Sequence, residues 1–396
     1  MARTLHPTAP AADRAYLVAA DTRDSLLPAA ESLTELAELA NTAGADVVGS
    51  TTQRLDHPNV TTYIGKGKVE EVKEACRGLG ANVAIFDDEL SPSQQRNLEK
   101  ALGAKVIDRT ALILDIFATR AHTREGRLQV SLAQMEYLLP RLAGQWSHLE
   151  RMEGAIGTRG PGETQIETDR RLIRSRISKI KKDLEDVRRH RALYRRQRQR
   201  AGLPVVALVG YTNAGKSTLM RTLSGADVLA EDKLFATLDP VTRRIKLPSG
   251  ETVLLTDTVG FIQKLPTELV AAFRATLEEL EEADVLLHVI DIAHPHAYEH
   301  TQTVDATLAE LGVADRPRLL ALNKVDLLRR PDGDPVASLD EARALVHGAG
   351  APPPSVVLVS AERRWGLDRL LERVTAGLDG GLAVSASAPQ LLARIG

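Results

Sequence analysis

The sequence predicts an α/β protein: a small α/β domain, an antiparallel helical hairpin, and a larger domain with a mostly parallel sheet flanked by helices. Three observations support this prediction. Short apolar runs alternate with helical stretches in both terminal parts of the chain, which is typical of parallel sheets. Between these parts, apolar residues recur at spacings of three and four, as in paired helices. The length of 396 residues suits two or three domains of about 150 residues each.

The composition excludes several classes of protein. Apolar residues make up 43% of the chain and charged residues 26%, which is typical of soluble globular proteins. The longest apolar run, Val285–Ile290, is far shorter than the ~20 residues that span a bilayer. The N-terminal residues lack the pattern of a secretory signal. The single cysteine, Cys76, excludes an internal disulfide, and no cluster of cysteine and histidine has zinc-ligand spacing. We expect a cytoplasmic protein.

Residues 13–123 are predicted to form the first domain, after a disordered segment at 1–12 that is rich in Ala and Pro. Four short apolar runs are predicted strands, at Tyr16–Ala20, Asp46–Thr51, Val83–Phe86 and Lys105–Ile107. The predicted helices between them are Ala30–Asn41, Val69–Arg77 and Ser91–Leu102. This alternation indicates a small, mostly parallel sheet.

Residues 124–201 are predicted to form the helical hairpin. Two sets of apolar residues have heptad-like spacing, and each set would line one helix: Leu128, Leu132, Met135, Leu139, Leu142, Trp146 and Leu149, then Ile173, Ile177, Ile180, Leu184 and Val187. Pro140 is predicted to kink the first helix. The four glycines between positions 154 and 162 are unfavourable in a helix, so this stretch is predicted to be the tip of the hairpin.

The second helix of the hairpin concentrates positive charge. The whole chain has 51 Lys and Arg against 53 Asp and Glu, a net charge of −2. Residues 170–200 alone hold 14 basic and 3 acidic residues, or +11, which leaves −13 for the rest of the chain. A solvated helix face is one interpretation of such a run. We favour a polyanionic partner, because so many neighbouring cations repel one another.

A phosphate-binding loop opens the last domain, which is predicted at 202–378 and is followed by a tail at 379–396 with no core of its own. The apolar strand Val205–Val209 leads into Gly210-Tyr211-Thr212-Asn213-Ala214-Gly215-Lys216-Ser217, and a helical stretch follows. This segment matches G-x-x-x-x-G-K-[ST] in a strand–loop–helix context. Backbone N–H groups and the helix N-terminus are then expected to surround a β-phosphate. Lys216 would reach the β- and γ-oxygens, and Ser217 would ligate Mg²⁺.

Further motifs occur in the order typical of GTP-binding proteins. Thr237 is predicted to complete the Mg²⁺ shell, Asp257 to hold Mg²⁺ through water, and Gly260 to contact a γ-phosphate. Asp326 can accept two hydrogen bonds from guanine, one of them from the 2-amino group that adenine lacks. A backbone N–H of the Ser360-Ala361 pair can bind the guanine O6. The predicted nucleotide-binding residues beyond the P-loop are Thr218, Phe235, Ala236, Thr237, Leu238, Asp239, Asp257, Thr258, Val259, Gly260, Asn323, Lys324, Val325, Asp326, Ser360 and Ala361.

Some of these assignments have structural alternatives. Thr237 can be an ordinary loop threonine, and Asp326 can be a helix N-cap. Asn213 is either a ligand for a monovalent cation such as K⁺ or a residue that stabilises its own turn. His288 is interpreted as a packed core histidine. His294, His296 and His300 are interpreted as solvated loop residues.

The group that orients the attacking water is missing from its usual place. Many GTPases have a glutamine directly after the glycine of D-x-x-G, and this chain has Phe261 there. No catalytic residue is therefore assigned. Slow intrinsic hydrolysis is expected, with the missing group supplied by a conformational change, a partner or a cation.

Nearly the whole chain resembles the HflX family of ribosome-associated GTPases, within the TrmE–Era group. The resemblance is carried by residues 63–69 (YIGKGKV), 108–120, 156–164 (IGTRGPGET), 235–239 (FATLD) and 257–261 (DTVGF). It implies a Mg²⁺-dependent GTPase with low intrinsic activity that ribosomes stimulate. It also implies binding to the large ribosomal subunit and GTP-dependent splitting of 70S ribosomes under stress, with the glycine-rich tip near the peptidyl transferase centre.

Two other functions stay open at this stage. One is a nucleotide-dependent RNA-remodelling enzyme that uses the basic hairpin on other RNA. The other is a signalling GTPase that uses the hairpin on a membrane or a protein partner. We expect a monomer with no integral membrane association. Binding of ATP to the first domain at Gly65-Lys66-Gly67-Lys68 is also open, although that stretch lacks P-loop spacing.

Overall fold

The computed structural model describes residues 12–23, 26–142, 161–200, 202–225, 234–265, 280–348 and 353–381. These residues form two sheets, and helices connect most of the strands. None of the helices in these ranges is long and apolar enough to cross a membrane. The predicted α/β class is confirmed.

The N-terminal sheet has four parallel strands in the order β2-β1-β3-β4. The strands are β1 Arg14–Asp21, β2 Asp46–Arg54, β3 Val83–Phe86 and β4 Lys105–Asp108. The helices are α1 Ala29–Thr42, α2 Lys66–Leu79, α3 Pro92–Leu102 and α4 Arg109–Arg120. Each strand and helix predicted for this region is present, because short apolar runs and amphipathic stretches alternate clearly in the sequence.

Helix α3 shows how local sequence sets these boundaries. The Ser91 hydroxyl accepts the Gln94 N–H at 3.2 Å, and the Gln94 side chain accepts the Ser91 N–H at 2.9 Å. This capping box satisfies donors that the first helical turn leaves free. The helix ends at Gly103, whose φ of 67° lies in the left-handed region that glycine adopts without strain. Leu98 and Leu102 are thereby buried in the core beside the sheet.

Charged side chains pair at the carboxyl end of the N-terminal sheet. Arg109 is 1% exposed, and it donates to Asp87 at 2.8 Å and also to Glu35. The Ser32 hydroxyl donates to the second oxygen of Asp87 at 2.6 Å. The buried guanidinium is thus neutralised by carboxylates that are themselves hydrogen-bonded, which a buried charge requires.

Asp108, at the end of β4, also has hydrogen-bond donors on both of its carboxylate oxygens. Its carboxylate accepts the Ala111 N–H at 2.8 Å, the Tyr137 hydroxyl at 2.9 Å and the Leu90 N–H at 3.0 Å. Arg141 adds a fourth contact at 3.3 Å. This carboxylate therefore joins the sheet to three separate segments of the same unit.

The middle of the chain contains two long helices, α5 Arg124–Leu138 and α6 Pro161–Arg200. The predicted kink at Pro140 is wrong, because α5 ends at Leu138 and the chain turns there. Proline cannot donate a hydrogen bond and restricts the residue before it, which favours termination. The prediction of a non-helical stretch up to residue 162 is also wrong at its end, since α6 begins with Pro161, a residue favoured in a first helical turn. Residues 154–160 lie outside the described residues.

The C-terminal sheet has six strands in the order β10-β9-β8-β5-β7-β6. They are β5 Val205–Val209, β6 Val241–Lys246, β7 Thr252–Asp257, β8 Val285–Asp291, β9 Arg318–Asn323 and β10 Val356–Leu358. The helices are α7 Lys216–Ser224, α8 Ala297–Glu310, α9 Leu339–His347 and α10 Leu367–Leu378. All neighbouring strands are parallel except β6, which pairs antiparallel with β7. The predicted mostly parallel sheet is confirmed.

Contacts divide the chain into two compact units, with divisions after Ile116, Ala133 and Ile177. Each unit is therefore built from two separate stretches of chain. Residues 117–133 group with the unit that contains the C-terminal sheet.

Candidate nucleotide-binding site

The P-loop connects β5 to α7, as its strand–loop–helix pattern predicts. Gly215 has a φ of 94°, and a Cβ there would overlap the side-chain amide nitrogen of Asn323. Both facts require glycine at this position. Asn213 also adopts a left-handed conformation, with a φ of 58°, which asparagine tolerates better than most residues. The backbone is thereby wound tightly at the N-terminus of α7, where N–H groups and the helix dipole favour an anion.

Lys216 is buried within this loop. Its ammonium group donates to the carbonyl oxygens of Tyr211 at 2.7 Å and Gly210 at 3.0 Å. Burial lowers the pKa of Lys216 to about 8, while the neighbouring Asp257 acts in the opposite direction. A phosphate beside this ammonium group would favour its charged form.

Three oxygen-bearing side chains converge next to Lys216. The Ser217 and Thr237 hydroxyl oxygens are 2.9 Å apart, and they donate to the Oδ2 atom of Asp257 at 2.7 and 3.0 Å respectively. The other carboxylate oxygen of Asp257 is buried and has no hydrogen-bond partner in the part of the chain that the structure describes. Burial raises the pKa of Asp257, so a cation at this place would relieve an unfavourable charge.

Lys216, Ser217 and Thr237 line an open cleft of about 450 Å³. Of the predicted nucleotide-binding residues, the following line it: Thr212, Asn213, Gly215, Lys216, Ser217, Thr218, Phe235, Ala236, Thr237, Thr258 and Gly260. The hydroxyl of Thr212 is buried without a hydrogen-bond partner among the described residues. The Thr258 hydroxyl instead donates to the Leu208 carbonyl at 2.6 Å and connects β7 to β5. The side chains of Leu238, Val259 and Val325 are buried and apolar.

Asn323 connects the P-loop to the loop after β10. Its amide nitrogen donates to the Ala214 carbonyl at 2.9 Å, and its amide oxygen accepts the Ala361 N–H at 3.0 Å. The Ser360 N–H donates to the Trp365 carbonyl at 3.1 Å. The N–H groups that the sequence assigns to the guanine O6 are thus engaged within the protein in this structure.

Asp326 lies just beyond Asn323, in a short 3₁₀ helix at Val325–Leu327. Its carboxylate is partly exposed, and no hydrogen bond or ion pair involves it among the described residues. Lys324 has a φ of 61° and forms an ion pair with Asp291 at 2.8 Å. The unpartnered carboxylate is therefore available to a donor pair such as that of guanine.

Tyr211 has a different environment from the rest of the P-loop. Its ring is 5% exposed and stacks on His300, with ring centroids 3.7 Å apart and planes 3° from parallel. Its hydroxyl accepts the Gln263 N–H at 3.1 Å. The prediction that His300 is a solvated loop residue is wrong, because α8 packs it against this ring. The prediction of a core position for His288 is confirmed, since it is 1% exposed.

Phe261 holds the D-x-x-G loop against the P-loop. Its N–H donates to the Gly210 carbonyl at 3.1 Å, and its carbonyl accepts the Thr212 N–H at 2.7 Å. Its side chain is buried, at 2% exposure. Phe261 therefore has a packing role, as its apolar character indicates.

The loop that carries Thr237 is bound on both sides by residues far upstream. The Phe235 ring contacts the Phe117 ring edge-on at 4.6 Å, and the Asp239 carboxylate accepts N–H groups of His122 and Thr123 at 2.8 Å each. The sequence assigned Asp239 to the nucleotide, whereas the structure places its carboxylate on the backbone at 122–123. No local pattern could have indicated this, because the contact joins residues more than a hundred positions apart.

Comparisons with known proteins agree with this geometry. Three family models match in succession: a GTP-binding GTPase N-terminal family at 30–118, a GTP-binding GTPase middle region at 120–198, and a 50S ribosome-binding GTPase family at 205–324. The GTPase HflX of Caldanaerobacter subterraneus subsp. tengcongensis is 52% identical over 345 residues, which cover 87% of this chain and 76% of that protein.

The GTPase HflX of Escherichia coli K12 is 48% identical over 354 residues, which cover 89% of this chain and 80% of that protein. A solved GTP-binding protein from Sulfolobus solfataricus, in complex with GDP, matches 93% of this chain and 99% of its own with 27% identity and a TM-score of 0.46. The assignment rests on the sequence relatives and the family models. They show that this chain belongs to the HflX family of ribosome-associated GTPases and hydrolyses GTP.

Proposed function

We propose that this GTPase acts as a monomer in the cytoplasm, binds the large ribosomal subunit in its GTP form and splits 70S ribosomes under stress. The observation that carries the proposal is the convergence of Ser217, Thr237 and Asp257 within 3.0 Å. Because Thr237 lies beside the phosphate-binding residues, the position of its loop would depend on whether a γ-phosphate is bound. A ribosome-binding surface coupled to this loop would be favoured with GTP and released after hydrolysis.

The oxygen set in the cleft fits Mg²⁺. Hard cations prefer oxygen ligands, and the Ser217 and Thr237 hydroxyls lie side by side with an unpartnered carboxylate oxygen of Asp257 next to them. Ser217 and Thr237 would hold the ion directly, and Asp257 would hold it through water. Bound there, Mg²⁺ would neutralise charge on the β- and γ-phosphates.

Residues at the other end of the site would select guanine. Asp326 would accept the N1–H and 2-amino protons, since its carboxylate has no other partner among the described residues. Asn323 would act indirectly, because its amide already fixes the Ala214 carbonyl and the Ala361 N–H. The Ala361 N–H would bind the guanine O6 as a donor shared with Asn323.

The group that activates water comes from outside the D-x-x-G loop in this proposal, because the apolar side chain of Phe261 is buried. The ribosome is the proposed source, and K⁺ held near Asn213 is the alternative. Asn213 lines the cleft, which supports the alternative. Hydrolysis rates in K⁺ and Na⁺, with and without ribosomes, distinguish the two.

Helix α6 supports a ribosomal RNA partner. Among the side chains that the structure describes on this helix, seven basic residues are exposed: Arg171, Arg174, Arg176, Lys179, Lys181, Lys182 and Arg189. Ile180 and Leu184 are buried, as their spacing predicts. The apolar side of the helix is thus used within the protein, and the cationic side is presented to solvent. Each phosphate contact would add about one unit, or slightly less, to the salt dependence of binding.

Light scattering of 70S ribosomes tests the proposal. Scattering should fall when the protein is added with GTP or a non-hydrolysable GTP analogue, and it should stay constant with GDP. The Lys216→Ala variant is the control for nucleotide dependence. Constant scattering with both triphosphates, while ribosomes still stimulate hydrolysis, would retain the ribosomal partner and contradict the splitting function.

An RNA-remodelling enzyme is the second candidate, and the exposed cationic side of α6 is the observation that favours it. This function predicts nucleotide-dependent separation of RNA duplexes without ribosomes. A fluorescence assay on a labelled duplex, with Lys216→Ala as control, decides between the two candidates.

A further inference from the structure

We propose that Asp239 positions Thr237 for GTP binding by docking this loop on residues 117–126, which precede the nucleotide-binding domain in the chain. The segment 117–126 would then be part of the GTPase site although it lies far along the chain from every nucleotide-binding motif. The proposal concerns GTP binding and hydrolysis, and it is independent of ribosome splitting.

The Asp239 carboxylate has several donors on this segment. Its Oδ2 atom accepts the backbone N–H groups of His122 and Thr123, both at 2.8 Å. Its Oδ1 atom accepts the Thr123 hydroxyl, which also accepts the Gly126 N–H at 3.0 Å. A carboxylate held by backbone donors at the start of a helix is favoured by charge and by the helix dipole. Asp239 therefore serves the N-terminus of α5 as a capping group from a distant part of the chain.

The close approach of Asp239 depends on Gly126. A Cβ built at Gly126 would overlap the Oδ1 atom of Asp239. Gly126 lies inside α5, where glycine is about 1 kcal/mol less favourable than alanine. The helix therefore carries an unfavourable residue at the one place where the carboxylate approaches it.

An aromatic contact holds the other side of the loop. Phe235 and Phe117 are both buried, and their rings meet edge-on with centroids 4.6 Å apart. Phe235 has a φ of 54°, a left-handed conformation that is unfavourable for a bulky side chain. Thr237 lies two residues from Phe235 and two from Asp239. The loop is thus fixed on each side of the threonine that reaches Ser217 and Asp257.

This arrangement predicts selectivity between nucleotides. Ordering a free loop costs conformational entropy, and contacts that already order it reduce that cost when a ligand binds. A nucleotide with a γ-phosphate needs Thr237 in place, whereas GDP is held by the P-loop and the guanine-binding residues. Loss of the Asp239 contacts should therefore weaken GTP binding and leave GDP binding intact.

The first test compares both affinities in full-length Asp239→Asn. The amide keeps the shape of the carboxylate but loses its charge and has only one oxygen to accept the His122 and Thr123 N–H groups and the Thr123 hydroxyl. We expect binding of a non-hydrolysable GTP analogue with Mg²⁺ to weaken at least about tenfold and GDP affinity to stay constant. Single-turnover hydrolysis should slow as well. Retained GDP affinity also shows that the variant is folded.

The second test uses Gly126→Ala, which should act in opposite directions on helix stability and on the site. The added Cβ displaces Asp239, so analogue affinity should fall relative to GDP affinity, although alanine is the better helix former. Gly78→Ala is the matched control, since Gly78 lies in α2 and a Cβ there has no neighbour within 4 Å. Thr123→Val should have a smaller effect than Asp239→Asn, and Thr123→Ser should restore the wild-type ratio.

The ratio of analogue to GDP affinity decides the outcome. A fall in Asp239→Asn and Gly126→Ala, with Gly78→Ala unchanged, supports the positioning role. An equal loss of both affinities would show a purely structural contact and overturn the proposal. An unchanged ratio in both variants would overturn it as well.

Discussion

Both sheets of this protein place carboxylates at the carboxyl ends of parallel strands, but the carboxylates have different partners. In the N-terminal sheet, Asp87 and Asp108 are fully buried, and donors from the same unit engage both oxygens of each. In the C-terminal sheet, Asp257 keeps one buried oxygen without a partner among the described residues. Position in the topology alone therefore does not distinguish a binding carboxylate from a structural one.

The buried cations beside these carboxylates also differ in their partners. Arg109 is paired with two carboxylates, so its charge is compensated within the fold. Lys216 is buried against backbone carbonyls, and burial lowers its pKa to about 8. The first arrangement balances its buried charge without a ligand, whereas the second becomes more favourable when an anion binds. Substitutions at the two sheets should therefore separate stability from nucleotide binding.

The largest effect is expected for Arg109→Met. It leaves Asp87 and Glu35 without their buried cation, which should lower the free energy of unfolding by about 3–5 kcal/mol. GTP affinity should not change under conditions where the protein is folded. Urea denaturation and GTP titration measure the two quantities. The control is the exposed Arg77→Met in the same domain. A weaker GTP affinity in Arg109→Met would show that this ion pair also supports nucleotide binding.

Lys216→Ala should show the reverse pattern. Loss of the ammonium group should weaken GTP binding at least about a hundredfold, because charge-assisted hydrogen bonds to phosphate are among the strongest. The free energy of unfolding should change by less than about 1 kcal/mol, since a costly buried charge disappears with its contacts. Fluorescent nucleotide titration and urea denaturation test this, and retained tight GTP binding would refute the site.

Asp326→Asn should change base selectivity. GTP binding should weaken about a hundredfold, because the amide cannot accept both guanine protons. Xanthine nucleotides should bind better than in wild type, since xanthine has an oxygen in place of the 2-amino group. Competition titrations with GTP and XTP measure the ratio. An unchanged ratio would contradict the assignment of Asp326 to guanine.

Low pH should lower the free energy of unfolding through His288, which lies in β8 of the C-terminal sheet. Burial lowers the pKa of His288 to about 3, below its ordinary value near 6.5. The unfolded chain therefore binds a proton that the folded protein does not bind at pH values between these limits. The stabilisation that depends on neutral His288 is present above about pH 6.5. Between pH 8 and pH 5, its loss should lower the free energy of unfolding by about 2 kcal/mol. Denaturation of His288→Phe across this range should show a correspondingly smaller pH dependence.

The smallest effect is expected for Tyr211→Phe. The variant leaves the Gln263 N–H without its acceptor and keeps the ring that stacks on His300. The free energy of unfolding should be about 1–2 kcal/mol lower than in wild type. GDP affinity should stay constant, because Tyr211 does not line the cleft. A loss of GDP affinity would instead support the assignment of Tyr211 to the nucleotide.

Local sequence predicted much of this fold because its strands are short apolar runs that alternate with amphipathic helical stretches. The strand β6 was not predicted, since Val-Thr-Arg-Arg-Ile-Lys mixes charged and apolar residues as an edge strand does. The P-loop was found because glycine, lysine and serine must occur there at fixed spacing.

Long-range contacts could not be predicted. The partner of Asp239 lies 116 positions away at Thr123, and the two are related only by folding. Asn323 likewise contacts two loops from distant parts of the chain. A motif identifies which residues belong to a site, but it does not show which of them contact the ligand and which hold the others in place.

In the comparison of the two sheets, a carboxylate with an unpartnered buried oxygen marks the ligand site, and a carboxylate with donors on both oxygens stabilises the fold. Two variants, Asp257→Asn and Asp108→Asn, test this distinction. For each, Mg²⁺-dependent affinity for a GTP analogue and the free energy of unfolding in urea are measured. Asp257→Asn should lose analogue affinity and keep or gain stability, because burial raises the pKa of this carboxylate. Asp108→Asn should lose stability and keep its affinity. The opposite result in either variant would contradict the claim.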